Sequence, residues 1–127
     1  MTSQFIEFIQ FFGASALILF AFVFAYTKIT PYHEFDLIKA NNPAAAISLG
    51  GAMLGFAIVL ASVIFATHSV KEMAIWAAIM LAVQLAAFVV ARVTVAKNIE
   101  EGNIAQAIFL AATSVSVGLL SAASITY

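Results

Sequence analysis

Few side chains in this sequence could do chemistry, and most of them are neutral polar groups inside long apolar runs. Gln84 lies near the middle of the run spanning residues 73–91. Serine hydroxyls in two other runs could hydrogen-bond to its amide, namely Ser48, Ser62, Ser114 and Ser116. Two roles stay open with equal weight. In the first, Gln84 lines a polar pathway for a substrate or ion. In the second, it holds helices together through hydrogen bonds worth about 0.6–2 kcal/mol each in a membrane.

Charged residues stand almost entirely between the apolar runs. Arg92 follows Gln84 by two helical turns, and we expect it at the cytoplasmic boundary, paired with Glu34, Asp36 or Glu100. An interfacial anchor is favoured over a guanidinium that guards a cytoplasmic mouth. Together with Arg92, three further residues form the expected cytoplasmic interface: Lys28, Glu34 and Asn42.

Catalytic, metal and cofactor sites are not expected. No segment places a nucleophile, a base and an orienting group at plausible spacing, so we expect no enzymatic activity. The chain has no cysteine, which excludes disulfides and thiolate metal sites. His33 and His68 are isolated on opposite sides of the expected membrane, so we assign no metal site and no cofactor. The net charge of −1 gives no reason to expect nucleic-acid binding.

The composition identifies the elements that must position these groups. Hydrophobic residues make up 65% of the 127-residue chain and charged residues 9%, against roughly 25% charged residues in a soluble domain. A membrane-spanning helix needs about 20 mainly apolar residues. Four runs meet this requirement and predict helices at about residues 5–27, 43–67, 73–93 and 104–126. The chain is therefore predicted to be one all-α, polytopic transmembrane domain, with the lipid bilayer as its first partner.

The basic residues set the expected orientation. The connections at residues 28–42 and 94–103 contain or adjoin four of the five basic residues, namely Lys28, Lys39, Arg92 and Lys97. The positive-inside rule places both connections in the cytoplasm and both termini on the periplasmic side. Trp76 and Tyr127 are then expected at the external membrane interface.

Small residues line one side of the second predicted helix. At about 100° per residue, four of them fall within about 60°, namely Ser48, Gly51, Gly55 and Ser62. Gly51 and Gly55 form a GxxxG pair, which lets helix backbones approach closely in lipid. The fourth helix carries Ser114 and Gly118 at the same spacing. We favour helix packing over a polar lining for these residues, and expect self-association through the Gly51/Gly55 face.

The first helix is expected to contact lipid through its aromatic residues. Seven phenylalanines wrap around it, namely Phe5, Phe8, Phe11, Phe12, Phe20, Phe22 and Phe24. Glu7 is expected in its first turn, where an acidic side chain stabilises a helix by about 0.3–1 kcal/mol.

The starts of the second and fourth helices resemble each other at an offset of 61 residues. Asn42 corresponds to Asn103, and Ala44 corresponds to Ala105. Both Asn side chains are expected to cap a helix, and Pro43 suits the first helical position. A duplicated two-helix unit would give two tandem repeats related by a pseudo-two-fold axis along the membrane normal. Chance similarity between helices rich in Ala and Ile is the alternative.

A family resemblance begins in the first connection and continues through the later helices. Its residues are Lys28-Ile29-Thr30-Pro31, Glu34, Leu37-Ile38, Asn41-Asn42, Ala44-Ala45, Leu54-Gly55, Trp76, Gln84-Leu85 and Arg92. On these residues, from about Tyr26 to the C-terminus, the chain resembles the YjfL family of bacterial inner-membrane proteins. The resemblance implies a four-span inner-membrane protein of two tandem two-helix units, in a family defined by a domain of unknown function. It also implies a link to envelope stress and membrane maintenance.

Two functional hypotheses follow. The leading one is a non-enzymatic, self-associating scaffold in the bacterial inner membrane, which presents its two cytoplasmic connections to a protein partner. The alternative is a small channel or transporter subunit with a polar pathway near Gln84. Intramembrane polar residues and a repeat favour the alternative. The lack of an acid or base at mid-membrane counts against a proton-coupled pump.

Overall fold

Five α-helices make up most of the described chain. The computed structural model describes residues 2–30, 32–95 and 98–125. The helices are α1 (Thr2–Ile29), α2 (Glu34–Lys39), α3 (Pro43–Ala66), α4 (Val70–Val95) and α5 (Ile104–Ile125). Four of them, all except α2, are long and apolar enough to cross a membrane. The predicted all-α, four-span fold class is therefore confirmed. Lys97 and Tyr127, used above for orientation and the external interface, lie outside the described residues.

Asparagine caps determine where α3 and α5 begin. The Asn42 Oδ1 accepts a hydrogen bond from the Ala45 N–H at 3.2 Å, and Pro43 occupies the first turn of α3. The Asn103 Oδ1 accepts from the Gln106 N–H at 2.9 Å at the start of α5. In each case the side chain satisfies an N–H that has no partner within the helix.

The turns that precede α3 and α5 share one backbone geometry. Asn41 has a φ of 68° and Gly102 a φ of 87°, both in the left-handed region. In each turn the N–H of the next residue bonds to the carbonyl five residues earlier, at 2.9 Å before α3 and 3.1 Å before α5. This pattern is a Schellman-type turn. The equivalent residues are again 61 positions apart, which supports the tandem repeat, although duplication itself stays a prediction.

The short helix α2 lies in the first connection, between α1 and α3. It has six residues, with Glu34 and Asp36 in its first turn and Lys39 in its last. This order of charges complements the helix dipole. Phe35 is 52% exposed, as an aromatic residue at a membrane boundary should be. The helix packs against α3 and so holds the connection close to the bundle.

The parallel helices α3 and α5 form the centre of the bundle. Gly51 faces Ala111 and Gly55 faces Gly118, while Ser62 bonds to a carbonyl further along α5. These pairs advance together along both helices, so the two helices run in the same direction. α4 packs against both of them, and α1 packs against α3 and α4.

The two ends of the bundle carry different groups. At one end, the Asn42 Nδ2 donates to the Glu100 carbonyl at 3.2 Å, so the first and third connections meet there. We call this the connection end. At the other end, Glu7 of α1 lines a pocket together with His68 from the turn between α3 and α4. We call this the terminal end.

α1 is the least packed of the four long helices. Residues 2–10 are all exposed, and in the described part of α1 only Phe22 and Tyr26 are buried. The expectation that every phenylalanine of this helix faces lipid is wrong for Phe22, whose ring stacks on Phe56 with centroids 4.6 Å apart. α1 begins at Thr2, so Glu7 lies in its second turn and not at the helix start. The dipole therefore does not explain Glu7.

Candidate functional site

The backbones of α3 and α5 are in direct contact at their small residues. A Cβ added to Gly55 would lie 2.7 Å from the carbonyl carbon of Ser114, and one added to Gly118 would lie 2.8 Å from the carbonyl carbon of Gly55. Only glycine fits at both positions without a shift of backbone. This contact occupies the Gly51/Gly55 face within one chain. The expectation that this face mediates self-association is therefore wrong.

The Gln84 amide reaches across the bundle beside this contact. The side chain is 1% exposed, and its Nε2 donates to the Ser114 main-chain carbonyl at 2.8 Å. A helical carbonyl can accept this second bond because its oxygen has two lone pairs. The Gln84 Oε1 has no hydrogen-bond partner. The amide thus links α4 to α5 and leaves one acceptor unused inside the core.

The serine hydroxyls proposed as partners of Gln84 are directed elsewhere. The Ser48 Oγ lies 2.7 Å from the Tyr26 hydroxyl. The Ser62 Oγ donates to the Ala122 carbonyl at 2.8 Å. Ser116 is on an exposed face of α5. Ser114 meets Gln84 through its carbonyl, so the five polar residues do not form one continuous group.

A second polar group lies at the connection end and consists of Thr30, Tyr32, Glu34 and Arg92. We call it the Glu34 cluster. Glu34 is 1% exposed; the Thr30 hydroxyl donates to its Oε2, and its Oε1 has no partner. The Tyr32 hydroxyl is also buried without a partner. Unsatisfied buried polar atoms are uncommon in folded proteins, so this cluster requires an explanation.

Burial dominates the electrostatics of the cluster. Removal from water disfavours a carboxylate, so burial raises the pKa of Glu34 above its ordinary value. The hydrogen bond from Thr30 and the charge of Arg92 act in the opposite direction with smaller effect. Burial likewise raises the pKa of Tyr32.

Arg92 contacts an aromatic ring. Its Cζ lies 5.6 Å from the centroid of the Tyr32 ring, a cation–π arrangement. Its Nε is buried without a hydrogen-bond partner. The Arg92 Nε and the Glu34 Oε1 both lack a partner, and they do not bond to each other. The expected ion pair between Arg92 and Glu34 is therefore absent at these atoms.

A pocket of about 430 Å³ lies between the last turn of α1 and the start of α2. Lys28 and Asp36 line it, together with three members of the cluster, Thr30, Tyr32 and Glu34. The side chains of both α1 and α2 therefore bring charge of both signs to one concave surface. Within the described ranges, no group of three His, Asp or Glu residues is placed to hold a metal ion.

The four residues expected at the cytoplasmic interface occupy different environments. Lys28 is exposed, and its Nζ lies 5.2 Å from the centroid of the Phe24 ring. Asn42 and Arg92 are partly buried. Glu34 is buried at the connection end, and its part in a cytoplasmic interface stays a prediction.

Sequence reasoning did not identify Tyr26 as a buried residue, and it did not connect Thr30 or Tyr32 with Glu34. Tyr26 is fully buried, and its ring packs 4.3 Å from that of Phe88. In an apolar run a tyrosine is also typical of the membrane interface, so its type alone does not reveal burial. No regular pattern in the sequence links Thr30 or Tyr32 with Glu34. Only the fold shows that these side chains lie together.

Comparison with known proteins assigns the chain to a family. A family model described as Domain of Unknown Function (DUF350) matches residues 1–125. The chain belongs to the DUF350 family. UPF0719 inner membrane protein YjfL of Escherichia coli (strain K12) is 33% identical over 120 residues, which cover 92% of this chain and 89% of that protein. The protein of the same name from Escherichia coli O157:H7 matches equally. No solved structure gives a significant match.

Membership of the DUF350 family confirms the resemblance seen in the sequence and extends it to the part of α1 that precedes Tyr26. The relative's name and the four apolar helices make the chain a multi-pass protein of the inner membrane. The names of the DUF350 family and of its YjfL relatives describe no enzymatic activity.

Proposed function

We propose that the protein is a non-enzymatic scaffold of the inner membrane, which self-associates through α1 and binds a cytoplasmic protein at its connection end. The link to envelope maintenance comes from the family resemblance. The observation that carries the proposal is the packing of α1. Residues 2–10 of α1 are all exposed, and in the described part of this helix only Phe22 and Tyr26 are buried.

The exposed face of α1 is suited to a second copy of the chain. Phe8 and Phe12 are 60% and 62% exposed, and their rings stack with centroids 5.6 Å apart. The side chains of Phe12 and Leu19 line an open apolar groove of about 310 Å³ against α3. In lipid, helices associate through close packing and not through hydrophobic exclusion. A groove beside a rigid aromatic pair offers such packing.

The connection end is suited to a soluble partner. The Asn42–Glu100 hydrogen bond joins the first and third connections into one surface. Exposed charges of both signs lie on it, among them Asp36, Lys39 and Glu101. Mixed exposed charge favours specific protein contacts over non-specific binding to an anionic membrane.

Disulfide cross-linking tests self-association, because the chain has no native cysteine. We expect Phe8→Cys to form a covalent dimer when membranes are oxidised. Phe65→Cys is the matched control, since Phe65 is 87% exposed on α3 at the same end of the bundle. Equal cross-linking of the two variants, or a monomeric mass in lipid nanodiscs, would contradict self-association through α1.

A second candidate function is a channel or transporter subunit. It is favoured by one observation, the unpartnered Oε1 of Gln84 in the buried core. Flux through liposomes that contain the purified protein tests it, with Gln84→Leu as the comparison. Flux at the level of empty vesicles for both proteins would remove this candidate. Flux in the wild type that is lost in Gln84→Leu would replace the scaffold as the leading function.

A further inference from the structure

The Glu34 cluster has the features of a binding site and not of a folding element. The Glu34 carboxyl is 1% exposed, and one of its oxygens is bonded to Thr30 while the other has no partner. Leaving a buried polar atom without a partner destabilises a fold, and more so when the group is charged. Glu34 lies in the wall of a pocket of about 430 Å³, so a ligand in this pocket would lie beside this residue.

The charges around the pocket define the ligand. Glu34 and Asp36 supply two carboxyl groups, and Lys28 supplies an ammonium on another part of the lining. An unpartnered carboxylate oxygen needs a hydrogen-bond donor, and a charged N–H donor gives the strongest bond. The exposed Lys28 ammonium can bind an anionic group. A zwitterion with an ammonium and a phosphate close together suits both groups.

The position of the pocket indicates that the ligand comes from the membrane. Its lining comes from the last turn of a spanning helix, from the connection that follows it and from the start of α2. The neighbouring surface is apolar, with Phe24 56% and Ile29 42% exposed. The Lys28 Nζ lies 5.2 Å from the Phe24 ring centroid, so the ammonium stays at the border of this apolar surface. A phospholipid would place its headgroup in the pocket and its acyl chains along α1.

We propose that this pocket binds the headgroup of a zwitterionic aminophospholipid, with the primary ammonium on the Glu34 carboxylate and the phosphate beside Lys28. The site goes beyond the scaffold function and does not depend on it. Tyr32 lines the same pocket, so its hydroxyl is a further polar group near the proposed ammonium position.

Methylation of the ammonium tests the proposal on the wild-type protein. Native mass spectrometry would measure retention of phosphatidylethanolamine, its N-methyl and N,N-dimethyl forms, and phosphatidylcholine, all with identical acyl chains. Each methyl group removes an N–H donor while the positive charge remains. We expect retention to fall stepwise, to about one tenth for phosphatidylcholine, the loss expected for one charged hydrogen bond. Equal retention across the series would overturn the proposal.

Variants separate the two parts of the site. Glu34→Gln should abolish the preference for the primary amine, whereas Glu101→Gln, an exposed acid at the same end of the bundle, should preserve it. Lys28→Gln should weaken all four lipids alike, because each carries the same phosphate. A Glu34→Gln protein that keeps the full preference would contradict the role of the carboxylate.

A soluble headgroup distinguishes the two sources of this chemistry. Phosphoethanolamine carries the same ammonium and phosphate without acyl chains. We expect bound phosphatidylethanolamine to remain in place when phosphoethanolamine is added in excess. Displacement by phosphoethanolamine at comparable concentration would show that the pocket takes a soluble zwitterion and would overturn the lipid assignment.

Discussion

Gly118 lies at the centre of the bundle, where there is no space for an added Cβ atom. A Cβ at this position would meet the Gly55 backbone, which cannot move aside as a flexible side chain would. We expect Gly118→Ala to lower the free energy of unfolding by about 1–3 kcal/mol, as overpacking does elsewhere. Gly50→Ala is the control, because a Cβ on Gly50 meets no atom within 4 Å. It should be neutral or stabilising by up to about 1 kcal/mol. Unfolding in mixed micelles measures both, and equal losses would contradict the close contact.

Glu34 makes stability depend on pH in the direction opposite to that of a paired carboxylate. Burial raises the pKa of Glu34 in the folded protein. At pH values between its ordinary pKa and this raised pKa, the folded protein keeps a proton on Glu34 that the unfolded chain has lost. Stability therefore falls as pH rises through this window, which begins near 4.5. In detergent free of aminolipid, we expect Glu34→Gln to be more stable than the wild type above the window, with the difference vanishing below it. A difference that is constant with pH would contradict the assignment.

Individual residues also show what sequence reasoning can reach. The caps at Asn42 and Asn103 were predictable because capping is local chemistry. The burial of Phe22 was not predictable. A spanning helix is apolar on every side, so hydropathy does not distinguish the face that contacts protein from the face that contacts lipid. The buried state of Glu34 depends on where the first connection folds, which its sequence spacing does not reveal.

At the scale of helices, the caps also position the connection end. Asn42 both caps α3 and donates to the Glu100 carbonyl of the third connection, whereas the side-chain bond described for Asn103 is the cap of α5. We expect Asn103→Ala to lower the free energy of unfolding by about 1 kcal/mol, and Asn42→Ala to lower it further because a tertiary hydrogen bond is also lost. Thermal unfolding of the solubilised variants checks this order. The reverse order would show that the link between the connections contributes nothing.

Helix lengths followed from hydropathy, but helix partners did not. The four spans were predictable because the bilayer fixes the length of a spanning segment. The GxxxG pair indicated a close helix contact, and its partner is α5 of the same chain. A second chain would have supplied an equally apolar surface, so the motif alone could not distinguish the two. The six-residue helix α2 is too short to show a reliable hydrophobic period.

For the whole molecule, the distribution of basic residues predicts which end faces the cytoplasm. Packing within the bundle is the same in either orientation, so only the distribution of basic residues favours one. Lys28, Lys39 and Arg92 all lie at or near the connection end, so the positive-inside rule predicts that this end faces the cytoplasm.

Single cysteines test this orientation, because the native chain has none. His68 and Glu101 are both exposed, one at the terminal end and one at the connection end. We expect a membrane-impermeant maleimide to label His68→Cys in intact spheroplasts and Glu101→Cys only in inverted vesicles. Labelling of Glu101→Cys from outside would place the connection end in the periplasm. The Glu34 pocket would then face the outer leaflet, and a cytoplasmic partner at this surface would be ruled out.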